Sequence, residues 1–157
     1  MEFSGDELAG VVDLFGGLTR AELGTALAEL AYKRGHAYDP EGFTPEIRAA
    51  TERYHLVALD ATVGDPDEPV LVPGPGAFPT LPDGAADLEH ILDIDSREIG
   101  RETAKRGALD RFRRDAATAV QSGEPERIDR LFDVSYELEA WVDVDLSAER
   151  AHLESVR

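Results

Sequence analysis

The most constraining feature of the chain is a helix-start signal written twice within 35 residues. Ser4 is followed three positions later by Glu7, and Thr19 by Glu22. Each pair forms a capping box: the hydroxyl accepts from a backbone N–H of the first turn, and the carboxylate reaches back to the cap N–H. Phe3 and Leu8 flank the first box, Leu18 and Leu23 the second, at the spacing of a hydrophobic staple. Leu8, Val11, Val12 and Phe15 then recur on one helical face, as do Leu23, Ala26, Leu27, Leu30 and Ala31. Gly16-Gly17 stops the first helix, because glycine takes the left-handed cap without a Cβ clash. Lys33-Arg34-Gly35 stops the second, with cations at the negative end of the helix dipole. The spacing predicts helices over 4–16 and 19–34, packed as a close hairpin.

The chain continues with a third start. Thr44 is the expected cap, with Pro45 at the first helical position, where its missing N–H costs nothing. A helix over 44–54 is followed by two β-like runs, His55 to Ala61 and Val70 to Val72, joined by a turn-rich loop. These read as a hairpin over 55–73, with Pro69 and Pro73 suiting a sheet edge. Residues 73–82 contain four prolines and read as a stiff linker holding Phe78 and Leu81 on the domain surface. Four helices are expected beyond it, over 84–92, 95–121, 125–141 and 147–156. The 95–121 helix has Asp95 as cap, Glu98 as its partner and Ile94 with Ile99 as staple. The fold class is mainly α with one β-hairpin. It divides into a unit over 1–80 with the element order of a winged helix and a helical C-terminal part over 81–157.

Charge narrows the function. The 157 residues hold 33 Asp and Glu against 16 Lys and Arg, a formal net charge of −17. Lys33 and Lys105 are the only lysines. A carboxylate-rich, lysine-poor surface suits a cytoplasm at molar salt, where the Debye length is about 3 Å and self-repulsion is muted. The 42% hydrophobic content and regular periodicities argue against disorder. There is no cysteine, no signal-peptide pattern at the N-terminus and no apolar run of membrane-spanning length. A cytoplasmic protein without membrane contact is expected.

No catalytic, cofactor-binding or metal site is expected. His36, His55, His90 and His152 are scattered, and the Asp-x-Asp pairs at 65/67, 93/95 and 143/145 lack the glycine and closing glutamate of a calcium loop. If the third helix read DNA, Arg48, Thr51 and Arg53 would be its contacts, beside Glu52. Up to residue 80, however, five basic residues face fourteen acidic ones, and the hairpin tip carries Asp65, Asp67 and Glu68. Phosphate contacts supply most non-specific affinity, and such a surface repels phosphate. The basic stretch lies in the 95–121 helix, where Arg106, Arg111, Arg113 and Arg114 offer a partner-binding face; Phe78 is a second candidate. A protein partner or a second copy is therefore favoured over duplex DNA, for a regulatory or adaptor protein. A winged-helix transcription regulator is the alternative, and an enzyme the last choice.

The run DELAGVVDLFGGLTRAELGTALAELAYKRG resembles the opening of a haloarchaeal family of about this length, a domain of unknown function. The match is best over Asp6 to Gly35. The resemblance implies a halophilic, cytoplasmic origin and brings no functional residues with it.

Overall fold

The fold was obtained as a computed structural model that describes residues 2–60 and 68–157. Among these residues it is mainly α with a single two-stranded hairpin. Both capping boxes form. Ser4 Oγ accepts from Glu7 N at 3.1 Å while Ser4 N donates to Glu7 at 3.0 Å, starting α1 (Gly5–Phe15). Thr19 and Glu22 repeat this at 3.2 and 2.9 Å, starting α2 (Arg20–Lys33). Gly16 ends α1 at φ +82°, and a Cβ there would run into the Arg97 carbonyl.

The connector after α2 is anchored by aromatics. Tyr38 stacks on Phe43 at 5.6 Å between centroids, and Phe43 on Phe3 at 5.9 Å. A 3₁₀ turn, Pro40–Phe43, leads into α3 (Thr44–Glu52). Phe43, not Thr44, takes the cap position. Thr44 Oγ1 donates back to the Glu41 carbonyl at 2.9 Å, because the preceding 3₁₀ turn already satisfies the helix entry.

Strands β1 (Leu56–Leu59) and β2 (Val70–Pro73) pair antiparallel, with Val57 opposite Val72 and Leu59 opposite Val70. The α1–α2 turn adds to the other side of β2: Leu71 N donates to Leu18 O at 2.7 Å, and Leu18 N to Leu71 O at 3.1 Å. At Leu71, therefore, β2 is bridged on both sides, while over the rest of its length it is an edge of the two-stranded sheet, as its prolines suggested. Pro69 and Pro73 lie outside this doubly bonded position, where no N–H is needed. The expected acidic tip at Asp65 and Asp67 lies outside the described residues.

The chain separates into two compact units, Met1–Gly100 and Arg101–Arg157, twenty residues later than the boundary expected at 80. In the first unit, the faces of α1, α2 and α3 meet the hairpin in a core that includes Leu8, Val12, Phe15, Leu27, Leu30, Ile47, Leu56 and Leu71. The Pro-rich segment is part of this unit and not a spacer. Gly76 N donates to Tyr54 O, Phe78 N to Asp6 Oδ1 and Thr80 N to Asp6 O, at 2.9, 2.9 and 3.0 Å. A 3₁₀ turn (Ala85–Asp87) and the one-turn helix α4 (Leu88–Ile91) follow, burying Ala85 and Leu88 in the same core.

The helix expected from residue 95 begins only at α5 (Arg101–Ser122). Residues 93–100 instead run without regular structure against the first unit. Arg97 N donates to Phe15 O at 2.7 Å, and its guanidinium to Glu22 Oε1 at 2.6 Å. Ile94 packs on the core, so its apolar surface is used there and not as a helix staple.

In the second unit, α5 packs with α6 (Pro125–Trp141) and α7 (Ser147–Ser155). Phe112, Ile128, Leu131, Leu138 and Leu153 are buried. Arg150 closes the α6–α7 turn with a two-pronged pair to Glu139, at 2.9 and 3.1 Å, and donates to Ser135 Oγ at 3.1 Å.

Candidate functional site

Helix α3 has two outward faces, and they lead to different places. At 100° per residue, Arg48 and Arg53 point about 140° apart around the helix axis. Thr44, Arg48, Thr51 and Glu52 line one side of a groove of about 520 Å³. Its opposite wall is α2, through Arg20, Ala21 and Thr25, and the 3₁₀ turn closes one end with Asp39, Pro40 and Glu41. Ala21, Pro40 and the buried Ile47 supply the apolar surface. The structure thus brings Arg48 and Thr51 together and leaves Arg53 apart. Arg53 borders a second hollow with Asp6, Glu46 and His55, where His55 Nε2 stands 3.8 Å from Asp6 Oδ1 and Nδ1 is buried without a described partner.

The α2–α3 groove carries charges of both signs. Arg20, Arg48, Asp39, Glu41 and Glu52 form no ion pair with any described residue. The three threonine hydroxyls, by contrast, are committed. Thr25 donates to Ala21 O at 3.1 Å, Thr44 to Glu41 O at 2.9 Å and Thr51 to Ile47 O at 2.8 Å. What they still offer a ligand is acceptor lone pairs.

The α2 wall and the 3₁₀ turn were not singled out from sequence. A signal was present: Ala21 and Thr25 are small residues one turn apart on a face of α2 away from its apolar stripe.

The α5 residues separate in the same way. Arg111 pairs with Asp115 at 3.3 Å, a carboxylate that also faces Arg127 at 3.6 Å, and Arg113 pairs with Glu149 at 3.1 Å. Arg106 and Arg114 are exposed and form no ion pair with a described residue. Phe78 is 82% exposed, so its backbone is pinned while its ring is not.

Titration behaviour is perturbed in the α6–α7 region. The Arg150 hydrogen bond holds the Glu139 carboxyl below its usual range, helped by Leu146 N. Ser147 does the same for Asp145. Burial, then the neighbouring Asp133, pushes Glu137 up. None of these groups lines the α2–α3 groove. Among the described residues no group of three or more His, Asp or Glu side chains is placed to hold a metal ion, and no helix is long and apolar enough to cross a membrane.

No curated protein and no solved structure matches the chain. One family model does, over residues 6–157, and its description is a family of unknown function, DUF7109.

Proposed function

We propose that the chain, which belongs to the DUF7109 family of unknown function, is a non-catalytic regulatory or adaptor protein working through protein contacts, with the α2–α3 groove as its contact surface. The observation that carries this reading is an apolar floor inside a rim of charges of both signs that form no ion pair with a described residue. That is the anatomy of a protein interface, whose core is apolar and whose rim is polar. Phosphate binding needs a rim of one sign, and here three carboxylates stand beside two guanidiniums. A salt-rich cytoplasm is part of the same reading, supported by 33 acidic residues and two lysines.

The order of three helices and a two-stranded hairpin supports a second reading, a winged-helix regulator that places α3 in a DNA groove. Fold does not fix function, and the same order serves protein contact. One pair of measurements separates the two. A selection from random duplexes in molar KCl enriches no sequence if the contact reading holds. A photo-crosslinking residue at position 21 then captures the same protein repeatedly from extract of the source cells, and Thr25→Arg abolishes the capture. Enrichment of a duplex whose binding is lost in Arg48→Ala, with the fold intact, replaces this reading with the DNA one.

A further inference from the structure

We infer that the α2–α3 groove accepts a peptide segment carrying a basic side chain next to an apolar one. The inference rests on the groove being the contact surface and adds the chemistry of what fits it. The apolar floor of Ala21, Pro40 and Ile47 asks for an aliphatic or aromatic side chain.

The polar inventory asks for donors. All three threonine protons are directed into backbone carbonyls of their own helix or turn, at 3.1, 2.9 and 2.8 Å. The hydroxyl oxygens therefore face a ligand as acceptors. Asp39, Glu41 and Glu52 are acceptors only when ionised. Six of the eight polar side chains on the groove thus require N–H or O–H groups from the occupant. An ammonium or guanidinium supplies several at once and makes the stronger charge-assisted bonds. Arg20 and Arg48, the two remaining polar side chains, suit main-chain carbonyls of the same segment. The 100-residue unit that holds the groove contains 20 Asp and Glu against 6 Lys and Arg, and its field attracts cations. At molar salt the Debye length is about 3 Å, so the preference there rests on the direct contacts in the groove.

The test uses the full chain in molar KCl and three labelled, end-capped hexapeptides read by fluorescence anisotropy: alternating Leu and Arg, alternating Leu and Glu, and alternating Ser and Arg. The Leu/Arg peptide is expected to bind at least tenfold more tightly than either of the others. Glu41→Gln with Glu52→Gln should weaken it at least tenfold. Asp87→Asn with Glu89→Gln, an equal change in net charge at exposed positions off the groove, should leave it unchanged, with circular dichroism confirming both folds. Equal losses from the two pairs would mean that only the overall field acts, and the inference fails. It fails also if the Leu/Glu peptide binds best, if Ser/Arg matches Leu/Arg, or if none binds. Failure here with capture from position 21 intact removes the basic segment and leaves the contact surface. Peptide binding without capture upholds the groove and its chemistry and removes the expected cellular partner.

Discussion

Glu22 shows how much one side chain holds. Its carboxylate closes the capping box on Thr19 N at 2.9 Å and, through the same oxygen, receives the Arg97 guanidinium at 2.6 Å. The first contact spans three residues and is legible in sequence, because capping is local chemistry at fixed spacing. The second spans 75 residues, and nothing in the spacing of Arg97 announces it. Thr19→Ala removes the acceptor from the first turn of α2 and should lower stability by about 1 kcal/mol, read from chemical denaturation in molar salt.

Glu139 gives a pH-dependent counterpart. Its folded-state pKa lies below the unfolded value, chiefly through the Arg150 hydrogen bond. The pair therefore contributes stability above the ordinary carboxylate range, and the contribution is lost as pH falls through the lowered value. Glu139→Gln should flatten the acid side of the stability–pH curve. Glu137, whose pKa is raised, works in the opposite sense: its charged form is disfavoured by folding, so Glu137→Gln should raise the melting temperature at neutral pH. An unchanged acid limb in Glu139→Gln would remove the pair from the account.

Among the elements, α1, α2 and α6 lie within a residue or two of where periodicity puts them, and α5 starts six residues late. The difference is one of competing uses for the same side chains. Asp95, Glu98, Ile94 and Ile99 compose a good helix start, but Ile94 reaches the core of the first unit and the Arg97 backbone bonds to the end of α1. Tertiary contacts outweigh propensities worth a few tenths of a kcal/mol per residue. The groove was half legible for a related reason. The α3 side chains were visible as exposed, but which of them share a space depends on where α2 and the 3₁₀ turn lie. Leu27, fully buried on α2, tests the central packing: Leu27→Ala should cost about 2–5 kcal/mol, several times the loss from the cap. Equal small losses from the two variants would mean that α2 is peripheral.

At the scale of the whole chain the dominant quantity is the charge of −17. Raising KCl from dilute to molar should raise the unfolding midpoint, because screening relieves repulsion among carboxylates. A flat or falling midpoint across that range would sink the halophilic reading.

The late boundary of the first unit has a consequence for biosynthesis. α1 and α2 leave the ribosome before the rest of their unit, yet Ala85, Leu88 and Arg97 complete their packing. The hairpin must therefore wait, with part of its apolar surface in water, until some sixty further residues have been translated. At about 5–20 residues per second this is an interval of several seconds. A nascent chain arrested with residue 80 outside the exit tunnel should remain sensitive to protease, and one arrested with residue 100 outside should resist it. In the interval between, the emerging chain is open to chaperones and to its own neighbours on the polysome.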